Sequence, residues 1–233
     1  MPLSFTRRLA QMEEVRIELV FYVELPRSLG QLLLSTGHLP LVSESVSWCS
    51  RSTCLEFLQV LVFHNMATFQ SSDDWVNMMN SIVLRLLEDD WLEVREKAAQ
   101  VLGGLIHCDF LIKPENALET FKEKASTKLK KKIKNKVVDS TGIELLKVRH
   151  AGILGLCAFI NAYPYDVPEF MPEVFLILGQ HLNDPQPISS TIRKTLGDFK
   201  RTHHDNWEHH SLKFTEEQLA VLTDLTIPPS YYA

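Results

Sequence analysis

The sequence lacks the signatures of the common enzyme classes and of membrane or secreted proteins. It contains no Gly-rich phosphate-binding loop, no Gly-x-Ser-x-Gly and no His-Glu-x-x-His. Its longest apolar runs are about ten residues, whereas a membrane-spanning helix needs about 20. Arg7 and Arg8 are not followed by the apolar core of a signal peptide. These absences indicate a non-enzymatic protein of the cytosol or nucleus, with no membrane partner.

Cysteine is scarce and poorly spaced for either disulfides or metal. Cys49, Cys54, Cys108 and Cys157 are the four cysteines of the 233-residue chain, and no two form a Cys-x-x-Cys pair. Wide spacing in a chain of this size argues against a disulfide framework. We expect free thiols in apolar, helical surroundings, as in a reducing compartment.

Four histidines lie close together near the C-terminus, at His203, His204, His209 and His210. Four imidazoles at this spacing can bind zinc. However, no cysteine lies nearby, and adjacent histidines point in different directions. The sequence therefore favours surface or helix-capping histidines, and we expect no metal and no other cofactor.

Positive charge is concentrated in one place. The chain has 24 Lys and Arg against 29 Asp and Glu, for a net charge of −5, yet eight lysines fall within residues 122–136 with only Glu123 opposing them. Because the rest of the chain is acidic, a general polybasic nucleic-acid binder is excluded and no direct DNA binding is expected. The lysine-rich insertion predicts a loop or helix end, either a nuclear-import or phosphate-binding patch or a solvated loop.

Helical patterning dominates from Thr53 onward, without alternating strands or hairpin turns. The predicted helices span 53–70, 73–88, 91–107, 115–127, 142–162, 168–183, 187–202 and 215–226. Residues 1–52 differ, because a helix predicted at 6–23 precedes a stretch rich in Ser, Gly and Pro. We interpret that segment as a helix plus an irregular cap, with a disordered segment as the alternative. The predicted fold class is all-α.

Leu-Gly pairs mark an internal repeat. They occur at Leu102-Gly103, Leu154-Gly155 and Leu196-Gly197, in steps of 52 and 42 residues. HEAT and armadillo repeats are about 40–47 residues long, so the first step needs an insertion, and the lysine-rich stretch supplies it. The pattern predicts HEAT-like repeats over 53–226 in an α-solenoid fragment. An unrelated helical bundle with coincidental Leu-Gly pairs is the alternative.

The repeats also predict local geometry. In the Val-Arg pairs at Val94-Arg95 and Val148-Arg149, the apolar residue should face inward and the cation outward. The small pair Ala151-Gly152 should let a neighbouring helix approach closely. Asp89-Asp90 and Asn183-Asp184 should supply N-capping oxygens to the helices that follow.

The sequence predicts a helix followed by a stiff tail at the C-terminus. Thr215 and Gln218 form a predicted capping box, and the helix should end before Pro228-Pro229. The prolines favour an extended conformation, so the last three residues would lose less entropy on docking into a cationic pocket. The alternative is a tail whose tyrosines pack back on the helix.

Several strings resemble a known family. VRHAGILG (148–155), YPYDVP (163–168), LNDPQP (182–187) and RTHHDNW (201–207) closely resemble, in this order, the C-terminal region of the proteasome activator complex subunit 4 family. These are large single-chain HEAT-repeat proteasome activators. The resemblance covers 53–233, leaves 1–52 unmatched, and implies a truncated form of such a protein.

The resemblance implies that 227–233 is a tail that docks on the α-ring of the 20S proteasome. Tyr231, Tyr232 and Ala233 match the motif hydrophobic–Tyr–any residue found at the end of several activators. The Ala233 carboxylate would pair with a lysine between adjacent α subunits, Tyr232 would hydrogen-bond the pocket wall, and Tyr231 would add apolar contact. Docking would favour gate opening without ATP or ubiquitin. The alternative is a non-activating HEAT scaffold for other protein partners.

The family also carries a bromodomain-like segment proposed to recognise acetylated histones through a Cys-Asn-Phe-Leu string. Here the string is Cys108-Asp109-Phe110-Leu111. An ionised Asp accepts hydrogen bonds but donates none, so acetyl-lysine binding by Asp109 and Phe110 should be weakened. Phe110 as an ordinary core aromatic is the alternative. The family further implies a place in nucleus and cytoplasm and roles in acetylated-histone degradation, DNA repair and spermatogenesis.

Overall fold

A computed structural model of the chain describes residues 38–129 and 140–224. Every regular element within these ranges is an α-helix, so the all-α prediction is confirmed. The chain divides into two compact units, one ending at Ile112 and one beginning at Lys113. The helix predicted at 6–23 lies outside the described residues.

The first unit is built around two long helices. In its described part it contains α1 (His38–Ser43), α2 (Trp48–His64), α3 (Met66–Gln70), α4 (Asp73–Leu86) and α5 (Leu92–His107). Helix α5 packs against both α2 and α4, and α1 contacts the same two helices. Leu55, Leu58, Val83 and Leu102 are fully buried between them.

The second unit is built around one central helix. Its described part contains α6 (Pro114–Ala125), α7 (Ser140–Asn161), α8 (Met171–Gln180), α9 (Ile188–Thr202), α10 (Trp207–Ser211) and α11 (Glu216–Asp224). Helix α7 packs against α6, α8 and α9, while α11 packs on α8. Ile153, Leu156, Phe175 and Ile192 are fully buried in this core.

Two helices, α2 and α3, replace the single helix predicted at 53–70. Helix α2 begins at Trp48 because the Ser47 hydroxyl accepts a hydrogen bond from the Ser50 amide. It ends at Asn65, whose Nδ2 donates to the Leu61 carbonyl at 2.9 Å. An Asn side chain that binds a backbone carbonyl competes with the helix ladder. The break therefore occurs without the Gly or Pro that would have revealed it in the sequence.

Glycines on α7 admit α6 at close range, as predicted for the small pair Ala151-Gly152. A Cβ atom on Gly152 would lie 2.7 Å from the Phe121 carbonyl oxygen, and one on Gly155 would overlap the Phe121 ring. The leucines of the three Leu-Gly pairs are all buried, each on its own helix. This arrangement is consistent with HEAT-like repeats.

The arginines of the Val-Arg pairs do not face outward, so that prediction is wrong. Val94 is fully buried, but Arg95 is only 8% exposed. Its Nη1 donates to the carbonyls of Asp89 and Asp90 at 2.7 and 3.1 Å, and burial lowers the pKa of Arg95. The guanidinium is drawn inward because it satisfies backbone carbonyls of the preceding turn.

The aspartates of the turns agree with the capping prediction only in part, because Asp89 and Asp184 bind arginines. Asp89 Oδ1 also accepts a hydrogen bond from the Trp91 amide at 2.9 Å, just before α5. Arg149 donates to the Asp184 carboxylate at 2.7 Å and to the Thr127 carbonyl at 2.7 Å. The N-cap residue of α5 is Trp91 and that of α9 is Pro187, neither with a side-chain cap. The acidic turns therefore tie helices to one another.

Candidate functional site

Helix α11 follows a cluster of aromatic rings in the second unit, which we call the aromatic platform: Phe175, Phe199, Trp207 and Phe214. Phe214 lies just before α11, with its ring 5.5 Å from Phe175 on α8 and 6.3 Å from Phe199 on α9, between centroids. Trp207 lies 6.1 Å from Phe214. Aromatic pairs at such distances stabilise by about 0.5–1.5 kcal/mol each beyond their buried area. The platform fixes the point at which the chain enters α11.

The predicted capping box at the start of α11 is confirmed. The Thr215 amide donates to Oε1 of Gln218 at 2.7 Å, and the Gln218 amide donates to the Thr215 hydroxyl at 3.4 Å. Gln218 and Leu222 are buried, and α11 packs on α8. Just upstream, Lys213 Nζ donates to the Val167 carbonyl at 2.9 Å. These contacts hold the start of α11 on the second unit.

The three predicted docking residues, Tyr231, Tyr232 and Ala233, lie outside the described residues. The last two positions of the helix predicted at 215–226 lie there as well, because the described part of α11 ends at Asp224. Their docking role stays a prediction.

Asp109, predicted to weaken acetyl-lysine binding, occupies the end of helix α5. It has a left-handed backbone with φ of 58° and an exposed side chain. Its amide donates to the Ile106 carbonyl at 3.1 Å, and the Phe110 amide donates to the Leu105 carbonyl at 2.8 Å. This pair of hydrogen bonds is the Schellman motif, which satisfies the last carbonyls of a helix. Asp and Asn tolerate the left-handed conformation better than other non-Gly residues, which accounts for a short polar residue here.

Phe110 lies in the core of the first unit. Its side chain is 2% exposed and its ring packs edge-on against Phe69, with 6.4 Å between centroids. Its carbonyl accepts a hydrogen bond from Nδ2 of buried Asn80 at 2.8 Å. The geometry matches the interpretation of Phe110 as a core aromatic, and an acetyl-lysine role for Asp109 and Phe110 stays a prediction.

The four clustered histidines separate into two exposed and two buried side chains. His204 and His209 are at the surface, as predicted. His203 is the C-cap residue of α9, as the capping interpretation expected, but it is only 2% exposed. His210 on α10 is 5% exposed, so the surface interpretation is wrong for it. Across 38–129 and 140–224, no group of three His, Cys, Asp or Glu side chains is placed to hold a metal ion.

The described lysines of the 122–136 insertion belong to the end of α6 and the residues after it. Lys122 Nζ lies 2.8 Å from both the Glu119 and the Glu173 carboxylates. Lys122 and Lys124 lie in the last turn of α6, where positive charge interacts favourably with the helix dipole. Residues 130–136 lie outside the described residues, so their role as an import or phosphate-binding patch stays a prediction.

The cysteines are free and partly buried. Burial raises the pKa of the Cys54 and Cys157 thiols to about 12, which keeps them protonated at neutral pH and weakly nucleophilic. Separately, none of the described helices is both long and apolar enough to cross a bilayer.

Fold and site together define an all-α protein with HEAT-like helix packing, in which His203, His210, Cys54 and Cys157 are buried in the core. Residues 146–233 match the family described as "Proteasome activator complex subunit 4-like, C-terminal". Proteasome activator complex subunit 4A of Danio rerio is 49% identical over 195 residues, which are 82% of this chain and 11% of that protein. The Homo sapiens proteasome activator complex subunit 4 is 46% identical over 215 residues, 88% of this chain and 12% of that protein.

A more distant relative is the proteasome activator BLM10 of Saccharomyces cerevisiae, 24% identical over 220 residues, or 91% of this chain and 10% of that protein. Residues 146–233 of this chain therefore match the C-terminal part of the proteasome activator complex subunit 4 family, and most of the chain is similar to members of that family. The chain spans about a tenth of the length of the curated relatives it matches.

Proposed function

We propose that this chain is a proteasome-activator module that docks on the α-ring of the 20S core particle through Tyr231, Tyr232 and Ala233. Docking favours gate opening and needs neither ATP nor ubiquitin. The observation that carries the proposal is the family match over 146–233, which includes the aromatic platform and α11 and runs to Ala233. The relatives are themselves named as proteasome activators.

Each tail residue has its own part in the proposed docking. The Ala233 carboxylate pairs with a lysine in a pocket between two α subunits, a charge-assisted contact of the stronger kind. Tyr232 places its ring on the pocket wall and its hydroxyl on a hydrogen-bond partner. Tyr231 adds apolar area at the pocket mouth. Aromatic anchors in a desolvated pocket typically carry most of the energy of such a contact.

The contacts at the root of the tail support this proposal. The capping box at Thr215 and Gln218 and the platform contacts of Phe214 hold α11 on the second unit. A tail that starts from a fixed helix and contains Pro228-Pro229 loses less conformational freedom on binding than a free peptide. Affinity then depends on the three terminal residues and on the stability of their anchor.

The test is a pull-down of purified 20S core particle by the full chain, with peptidase activity read on the same samples. We expect the wild type to bind and Tyr232→Ala to lose at least about tenfold in affinity, as for a hot-spot aromatic. Tyr165→Ala is the matched control, because Tyr165 is a 76% exposed tyrosine in the loop between α7 and α8 and is not part of the proposed docking motif. It should bind like the wild type.

The readouts separate binding from activation. Binding with raised peptidase activity supports the whole proposal, whereas binding without it supports docking alone. The proposal that the tail docks on the core particle is wrong in either of two cases. Either neither the wild type nor Tyr165→Ala binds, or Tyr232→Ala binds as well as they do. A scaffold that contacts other proteins would then be the better interpretation.

The finer roles implied by the resemblance rest on this docking. We include in the proposal a place in nucleus and cytoplasm, with the lysine-rich insertion as the import signal, and a contribution to acetylated-histone degradation, DNA repair and spermatogenesis. The import signal is tested by replacing the lysines of 128–136 by glutamine in a fluorescent fusion of the chain. If the nuclear fluorescence is unchanged, the lysine-rich insertion is not an import signal.

A further inference from the structure

Two buried imidazoles meet where α10 folds back on α9. The rings of His203 and His210 lie 5.2 Å apart in an edge-to-face arrangement. The His203 ring also stacks on Phe199 of the aromatic platform at 4.0 Å. Both histidines are buried, at 2% and 5% exposed. The contact therefore joins the end of α9 to the short helix that leads to α11.

The two histidines differ in how their ring nitrogens are satisfied. His203 Nδ1 lies 2.9 Å from the Phe199 carbonyl and 2.9 Å from the Thr202 hydroxyl, while Nε2 lies 3.2 Å from the Asp166 carbonyl. A protonated imidazole donates from both nitrogens and a neutral one from a single nitrogen. His203 therefore finds partners in either form.

His210 lacks hydrogen-bond partners of this kind at one of its ring nitrogens. Among the described residues, its buried Nδ1 has no hydrogen-bond partner. Protonation would add a donor at a buried position and a charge that must be desolvated. Three other cationic or titratable groups face it, namely His203 at the C-cap of α9, His209 on α10 and Lys213 in the turn that follows. Asp166, in the loop before α8, is the opposing carboxylate.

We propose that the His203–His210 pair is an acid-sensitive latch that holds α10 and the entry to α11 on α9 at neutral pH and releases them in mild acid. In neutral form the two rings pack as one apolar cluster with Phe199. Protonation of His210 places an unpaired N–H and a positive charge beside His203 and Lys213. Opening of α10 to solvent relieves both costs.

The direction of the pH dependence follows from the same contacts. Burial, His203, Lys213 and His209 lower the pKa of His210 from its usual 6.5, and Asp166 opposes them only in part. The folded state then binds a proton less readily than the open state. The stabilisation from the neutral latch is complete above pH 6.5 and is lost as the pH falls below that value.

Hydrogen exchange of the full chain at pH 7.5 and pH 5.5, corrected for intrinsic rates, tests the latch. We expect a severalfold loss of protection in α10 and α11 at pH 5.5 in the wild type. His210→Phe, which keeps a ring among aromatic neighbours but cannot titrate, should lose this response. His209→Phe is the matched control and should keep it, because His209 is exposed.

An unchanged exchange pattern in the wild type, or a full response in His210→Phe, overturns the latch. If His210→Phe does not fold, NMR titration of the wild-type imidazoles decides instead. A midpoint for His210 below 6.5 supports the latch, and one at or above 6.5 overturns it. Release of α10 would also loosen the helix from which the docking tail starts. Only this last consequence rests on the proposed function. Exchange is measured without proteasome, so failure of the latch is distinct from failure of docking at pH 7.5.

Discussion

The guanidinium of Arg51 binds the carboxylate of Asp89 through two hydrogen bonds of 2.6 and 2.7 Å, across 38 residues of sequence. Arg149 and Asp184 form the corresponding pair in the second unit, at 2.7 Å across 35 residues. Arg51 lies on α2 and reaches the turn between α4 and α5, whereas Arg149 lies on α7 and reaches the turn between α8 and α9. Each arginine also donates to a carbonyl of an adjoining loop, at Ser45 and Thr127. The pairs mark the same position in each repeat more directly than the Leu-Gly spacing does.

The Arg51–Asp89 pair should contribute measurably to stability. The two side chains are only 13% and 6% exposed, so Arg51→Met leaves a largely buried carboxylate without its bidentate partner. We expect a loss of about 1.5–3 kcal/mol in the free energy of unfolding, the range for hydrogen bonds to charged groups. Urea unfolding followed by far-UV circular dichroism measures it.

Arg201→Met is the control for that measurement. Arg201 and Asp198 pair at 2.9 Å, but their side chains are 78% and 40% exposed. Surface pairs of this kind contribute little, so this variant should unfold like the wild type. Equal destabilisation by both variants would contradict a special role for the Arg51–Asp89 pair.

Gly152→Ala should destabilise the second unit. The added methyl would lie 2.7 Å from the Phe121 carbonyl oxygen, which is backbone and cannot rotate away. Overpacking of this kind costs about 1–3 kcal/mol. Thermal unfolding measures the loss as a lowered midpoint.

Gly104→Ala provides the matched control, since a Cβ there meets nothing within 4 Å. Ala is the better helix former by about 1 kcal/mol, so this variant should be as stable as the wild type or more so. If Gly152→Ala is as stable as the wild type, α6 and α7 can move apart at little cost. That result would contradict the close packing described above.

Thr215→Ala should loosen the start of α11. It removes the hydroxyl that accepts from the Gln218 amide, a capping loss of about 0.5–2 kcal/mol. Hydrogen exchange should show faster exchange in the first turn of α11. Thr223→Ala is the control, because the exposed Thr223 hydroxyl donates to the Leu219 carbonyl within the helix and takes no part in the capping box. If both variants exchange at the same rate, the capping box does not stabilise the start of α11.

Asp109→Asn should bind an acetylated histone tail more tightly than the wild type does. Asn tolerates the left-handed conformation of this position and adds an N–H donor for the acetyl carbonyl. Isothermal titration with acetylated and unacetylated peptides measures the gain. Tight binding by wild type and variant alike would overturn the expected weakening. If neither protein binds the peptide, Asp109 and Phe110 serve only to cap the end of α5.

The sequence predicted the long helices well because their patterns are long and their ends are marked. Helix α5 was expected at 91–107 and is Leu92–His107, and the Thr215 box begins α11 as expected. The break at Asn65 was missed because a side-chain amide, and not Gly or Pro, ends α2. Helices α1 and α10 have six and five residues, too few for a periodic signal.

Side-chain placement was harder to predict than helix position. Arg95 and Arg149 were expected outside, since charge favours water, but turn carbonyls and Asp184 draw them inward. His210 was expected at the surface, yet it is buried, with its ring against that of His203 at the end of α9. No local pattern in the sequence contains that information.

The close packing of α6 on α7 also fixes both ends of the segment that connects them. The entropy of closing such a connection changes by only about 0.6 kcal/mol when its length doubles. Changes in its length should therefore alter the stability of the helix pair only slightly. The segment between Ala125 and Ser140 is, for this reason, a suitable position for a reporter or affinity tag that leaves the helix pair intact.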